Sequence, residues 1–90
     1  VKPVLKKFLK VQAHTLKPIV IIGQNGLSEA VINEINLALD HHELLKVRVN
    51  AADRDIRKEM IEQITSTLSA DLVQAIGHIA TIYRKRPKKT

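Results

Sequence analysis

Two glycines three positions apart, Gly23 and Gly26, bracket Gln24 and Asn25. The apolar run Val20-Ile21-Ile22 leads into them, and Leu27-Ser28-Glu29, where a helical pattern begins, leads out. A strand, a glycine-containing loop and a helix in that order aim backbone N–H groups and a helix N-terminus at one point, a simple way to hold a phosphate. Glycine removes the Cβ that would block close approach and permits positive φ. Gln24 and Asn25 add amide donors, and the helix dipole favours an anion at its start. Loops of this G-x-x-G pattern clamp the sugar-phosphate backbone in one class of RNA-binding module. Glycines so spaced after a strand more often mark only a tight turn, so the context must decide. The Gly-Lys-Ser/Thr of a Walker loop and the third glycine of a dinucleotide fingerprint are both missing, which argues against ATP or NAD.

Other chemistry-bearing residues read more simply. His41, His42 and Glu43 are adjacent at an expected helix end, so they point in different directions and have no partner at ligand spacing. Histidines there suit the helix dipole better than a metal. His14, before a strand, reads as a structural hydrogen-bonding residue, and Ser28 as a helix N-cap rather than a nucleophile. No carboxylate cluster or nucleophile–base pair stands out, so no enzyme, metal or cofactor is expected.

The elements that position these residues follow from periodicity. Val4 to about Ala13 reads as a first helix, with Leu5, Phe8, Leu9 and Gln12 on one face and Lys6, Lys7 and Lys10 elsewhere. Ile19 to Ile22, all β-branched, predicts a strand buried on both faces. Leu27, Val31, Ile35, Ala38 and Leu39 give a second helix, ending near Asp40-His41-His42. Leu44 to Asn50 alternates, with Leu45, Val47 and Val49 inward and a basic outer row of Lys46 and Arg48. Asp53 can cap a third helix bearing Ile56, Met60, Ile61, Ile64 and Leu68. Leu72 to Ile76 and Ile79 to Arg84 are strands joined at Gly77, an expected antiparallel hairpin. The order α-β-α-β-α-β-β predicts one α/β (α+β) domain over residues 1–84, with three helices and a four-stranded mixed sheet. Residues 85–90, charged and without an apolar anchor, are expected to be a disordered basic tail.

Ninety residues suffice for one core but leave no room for a second, catalytic domain. With only Phe8 and Tyr83 as aromatics, the core must be aliphatic and a stacking platform for unpaired bases is not evident. No Cys is present, which excludes disulfides and thiol chemistry and suits a reducing cytosol. No apolar run approaches the ~20 residues that span a bilayer, and no signal peptide is legible. The chain opens on Val1 rather than Met, and the expectation is a trimmed or processed N-terminus.

Charge points to a polyanion. Fifteen Lys and Arg against nine Asp and Glu give +6. The cations form three groups: Lys2, Lys6, Lys7, Lys10 and Lys17; Lys46, Arg48, Arg54, Arg57 and Lys58; and Arg84, Lys85, Arg86, Lys88 and Lys89. No acid precedes Glu29 or follows Asp71. One exposed lysine is usually mere solvation; two acid-free ends together are better explained by binding.

Four stretches complete the picture: Ala13-His14-Thr15-Leu16-Lys17-Pro18; Ile22-Gly23-Gln24-Asn25-Gly26-Leu27-Ser28-Glu29; His41-His42-Glu43-Leu44-Leu45-Lys46-Val47; and Val73-Gln74-Ala75-Ile76-Gly77 with Ile82-Tyr83-Arg84. In this order and spacing the chain resembles the YhbY-like, or CRM (chloroplast RNA splicing and ribosome maturation), family of RNA-binding domains. The resemblance implies a fold similar to the C-terminal domain of bacterial translation initiation factor three, and RNA binding without catalysis. Stand-alone bacterial members are associated with precursors of the large ribosomal subunit, and this chain looks like that type. The family's RNA-facing loop falls on Gly23, Gln24, Asn25 and Gly26, Lys17 lies in its Leu-Lys-Pro block, and Lys46 and Arg84 match recurrent basic positions. Some relatives carry a lysine where this chain has Gln24 or His78, which shifts weight to the helix lysines and the tail.

The expected RNA-contacting set is therefore Gly23, Gln24, Asn25, Gly26, Lys10, Lys17, Lys46, Arg48 and Arg84. The expected partner is ribosomal RNA or a large-subunit precursor, bound by a cytoplasmic monomer that reads RNA shape more than base sequence. Neither a membrane nor a small-molecule substrate is expected. The rival reading is a protein-interaction module for a ribosomal protein or assembly factor, its charge serving solubility.

Overall fold

Alternating apolar residues make the sheet, and the helices are cut to length by their caps. The computed structural model describes residues 3–23 and 26–85. Among them the order is α1 (Pro3–Ala13), β1 (Pro18–Ile22), α2 (Glu29–His42), β2 (Leu44–Val49), α3 (Arg54–Leu68), β3 (Asp71–Ile76) and β4 (Ile79–Tyr83). The Ser28 hydroxyl accepts from the Val31 N–H at 3.2 Å and starts α2. Asp53 accepts from the N–H groups of Asp55 and Ile56 at 2.8 and 3.2 Å and starts α3. α2 and α3 each end on a residue at positive φ, Glu43 at 56° and Ser69 at 53°.

The sheet order is β1-β2-β4-β3. β1 pairs parallel with β2, and β4 runs antiparallel between β2 and β3. Three strands thus point one way, and their carboxyl ends gather at one end of the sheet. The fold is the α+β, mixed-sheet domain expected, including the hairpin at Gly77.

The helices occupy two layers. Ile35 and Leu39 of α2 and Ile61 and Ile64 of α3 join Val20, Ile22, Leu45, Val47, Val49, Ala80 and Ile82 in the main core on one face. Leu9 and Ala13 of α1 pack on the other face with Leu44 and Val73, and Leu16 and Tyr83 flank them. Val73 falls where the β3–β4 register shifts, between Leu72 and Gln74. Both cores are closed by aliphatic side chains, with Tyr83 packed against the smaller one.

Two expectations about burial are corrected. β1 is not buried on both faces: Val20 and Ile22 are buried, while Ile19 and Ile21 are exposed. It is an edge strand, and α1 packs against β2 and β3. On α1 the buried pair is Leu9 and Ala13, so Leu5, Phe8 and Gln12 are left exposed. The expected tail contributes only the exposed Lys85; residues 86–90 lie outside the described residues.

Candidate nucleic-acid interface

Gly23 follows β1 directly, and the Gly26 N–H donates to its carbonyl at 3.1 Å, tying the two glycines together. Gln24 and Asn25, expected as amide donors, lie outside the described residues. The two glycines are glycine for different reasons. Gly26 has φ +80°, where an L side chain is strained, and a Cβ there would stand 3.4 Å from Met60 Cε. Gly23 is exposed, its φ lies outside the positive region, and a Cβ built on it meets nothing within 4 Å. Among the described residues, nothing in the fold demands a glycine at 23.

The donors differ from the simple picture as well. The Gly26 N–H is used inside the loop and the Val31 N–H is capped by Ser28. Glu29 and Ala30 open α2 with the N–H groups that no helix can satisfy internally. Glu29 is itself an anion in that first turn, so it already answers the helix dipole. Attraction for a phosphate must then come chiefly from side-chain cations.

Arg48 is a cation at the loop's end of the sheet. It pairs with Ile21, one residue before the end of β1, and its Nε–H donates to Asn50 Oδ1 at 2.9 Å. The end of the sheet is laced around it. The Asn50 N–H donates to the Ile22 carbonyl at 3.0 Å, and the Val49 N–H to the His78 carbonyl at 2.7 Å. His78 Nδ1 lies 2.9 Å from the Val49 carbonyl; since a carbonyl only accepts, Nδ1 carries the proton. The loop after β1, the end of β2 and the β3–β4 turn are thereby fixed relative to one another. Asn50 and His78 were absent from the expected set because their partners are set by strand register, which the sequence does not display.

The remaining cations separate. Lys46 lies beside Pro18 in the β1–β2 register, so Lys46 and Lys17 sit at the opposite end of β1 from the loop. That is a span of roughly 17–20 Å at the rise of an extended chain. Lys10 is half-buried on α1, while Lys6 and Lys7 are exposed. Arg84 is engaged within the protein. Its Nη1 donates to Asn36 Oδ1 at 2.8 Å and the Leu68 carbonyl at 3.1 Å. Its Nη2 donates to the Asn36 carbonyl at 3.1 Å and Asp40 Oδ1 at 2.8 Å. This guanidinium clamps α2 to the end of α3, an occupation that a free RNA-facing cation would not have.

Charge divides by layer. α2, α3 and their N-caps carry Glu29, Glu34, Asp40, Asp53, Asp55, Glu59 and Glu62. α1 carries lysines without an acid, over a sheet face that bears Lys46 and Arg48. A groove of about 750 Å³ on the α3 side mixes Arg54, Arg57 and Lys58 with Asp55 and Glu62. α1 itself is purely basic, and the acid on its side of the sheet is Asp71, which the register sets beside Tyr83 at the end away from the Gly23 loop. No cluster of metal-ligating side chains occurs among the described residues.

Known proteins resemble the chain in sequence and in fold. A probable RNA-binding protein of Pseudomonas aeruginosa is 45% identical over 83 residues, covering 92% of this chain and 80% of its own length. An RNA-binding protein of Haemophilus influenzae is 51% identical over 79 residues, covering 88% of this chain and 80% of its own. The solution structure of a hypothetical protein from Staphylococcus aureus superposes with a TM-score of 0.85 at 33% identity, across 100% of this chain and 94% of that one. The CRS1 / YhbY (CRM) domain model matches residues 2–84, and the chain belongs to that family.

Proposed function

We propose that this protein is a non-catalytic RNA-binding protein that holds RNA of the assembling large ribosomal subunit in the cytoplasm as a monomer. Gly23 carries the reading. A residue whose φ lies outside the left-handed region, and whose Cβ would meet nothing among the described residues, is nonetheless glycine, at the mouth of a loop whose end of the sheet also bears Arg48. A missing Cβ that the fold does not need is useful to something that approaches from outside, and a sugar-phosphate backbone requires such close approach. Lys6, Lys7, Lys10, Lys17, Lys46 and Arg48 supply the positive field. The names of the relatives as RNA-binding proteins support the partner class, and the ribosomal assignment follows the family resemblance.

The test is titration of ribosomal RNA fragments with three proteins: wild type, Gln24→Asp/Asn25→Asp, and a chain ending at Arg84. Loop-dependent binding means that the charge-introducing pair weakens affinity at least about tenfold, from repulsion of the phosphate, while truncation costs less. Binding that survives the loop change and disappears on truncation would mark a nonspecific basic tail and refute the site.

A further inference from the structure

One row of the sheet remains unexplained by a phosphate clamp. The strand register sets Ile21, Arg48, Ile79 and Ile76 side by side across β1, β2, β4 and β3. Their neighbours Val20, Ile22, Val47, Val49 and Ala80 are buried in the core under α2 and α3, so these four face the other way, to the side of α1. α1 packs near Leu44 and Val73, two rows away at the far end of that face. The row is therefore open: Ile21 is 60% and Ile76 64% exposed, and Arg48 is exposed between them. Exposed isoleucines on a small sheet are costly to leave wet, and here they flank a cation and adjoin Gly23.

The chemistry of the row is selective. It spans roughly 14 Å, three inter-strand spacings. It offers flat aliphatic surface interrupted by one guanidinium, whose orientation is held by the Nε–H bond to Asn50 at 2.9 Å. No acid occupies it. Nucleobases have apolar faces and pack on guanidinium planes, but a base within a duplex has its faces hidden by stacking.

We infer that this row is a base-binding platform, on which unpaired nucleotides of the bound RNA lie flat against Ile21, Ile79 and Ile76 and against the Arg48 guanidinium. The inference rests on the RNA-binding reading and narrows its substrate to unpaired RNA, in loops, bulges or single strands. Continuity favours this occupant over a protein, because the platform adjoins the end of β1, where the phosphate-holding loop starts, and carries Arg48. It also amends the expectation that scarce aromatics leave only shape to be read: aliphatic side chains and an arginine provide the surface.

The test compares a twelve-nucleotide unpaired RNA, the same RNA with abasic sites at its central positions, and its duplex, each titrated with wild type and with Ile21→Ser/Ile76→Ser. Both substituted side chains are exposed, so the variant keeps its core, and the abasic arm needs no variant. The expected result is a loss of about five- to tenfold on removing the bases, near the lower end for unstacking. The serine variant shows a similar loss toward the intact oligomer and none toward the abasic one. The duplex binds more weakly than the unpaired strand. Equal affinity for intact and abasic RNA, with loop and salt dependence retained, overturns the platform while leaving RNA binding in place. Failure of every RNA to bind overturns both. Sedimentation velocity of wild type provides a further check: self-association abolished by the serine pair would make the row an interface between copies and overturn the proposal.

Discussion

Arg84 shows how much a residue's role depends on neighbours that its type does not name. A basic residue at a recurrent basic position reads as a phosphate contact. Its four acceptors lie on Asn36, Asp40 and Leu68, placed beside it by the packing of α2 and α3 against the end of β4. Contacts between residues so far apart in sequence are not legible in a periodicity. Arg84→Ala should destabilise the fold by about 2 kcal/mol, most of it from the carbonyl and amide bonds, since Asp40 is 45% exposed and its ion pair is screened. Arg84→Lys should recover less than half, because one ammonium cannot serve that fork of acceptors; chemical denaturation measures both. Glu29 works in the opposite sense. If its carboxylate competes with phosphate at the start of α2, Glu29→Gln should tighten RNA binding about two- to fivefold at low salt. Weaker binding by that variant would show that the helix start does not face the RNA.

At the scale of elements, local signals were strong where local physics decides. Ser28 and Asp53 cap the helices they were expected to cap, and the alternation of Leu45, Val47 and Val49 with Lys46 and Arg48 holds in β2. Periodicity failed for β1, whose four β-branched residues suggested burial on both faces. Whether Ile19 and Ile21 are covered depends on where α1 rests, and α1 rests on β2 and β3. Strand order was equally hidden, since the insertion of β4 between β2 and β3 is a tertiary fact. α1 is attached through the small cluster of Leu9, Ala13, Leu44 and Val73. Leu9, 3% exposed, is its main anchor. Leu9→Ala should cost about 3 kcal/mol and loosen the lysines of α1 with it. RNA affinity should fall although no binding residue has changed, as thermal unfolding and titration together would reveal.

The whole molecule divides its charge unevenly, with most acids on or capping α2 and α3, lysines without an acid on α1, and Asp71 at the far end of the α1 face. The sequence displayed the acid-free ends but not that α1 and the row bearing Lys46 and Arg48 share one side. The carboxyl ends of three strands that point alike lie at the end of the sheet that carries the Gly23 loop. If about five phosphates are neutralised there, log affinity for unpaired RNA should fall against log salt with a slope of roughly −3.5. A flat salt dependence would assign the charge to solubility.

The central claim is that Gly23 is glycine for the sake of a bound RNA backbone. Its most direct measurement is Gly23→Leu, with melting temperature and RNA affinity read on the same protein. Among the described residues a Cβ there meets nothing within 4 Å, and φ lies outside the left-handed region, so the melting temperature should stay within a few degrees of wild type. The affinity should fall at least about tenfold, as expected when a side chain blocks a close backbone contact. An unchanged melting temperature with unchanged affinity would contradict the claim and place the RNA elsewhere on the molecule.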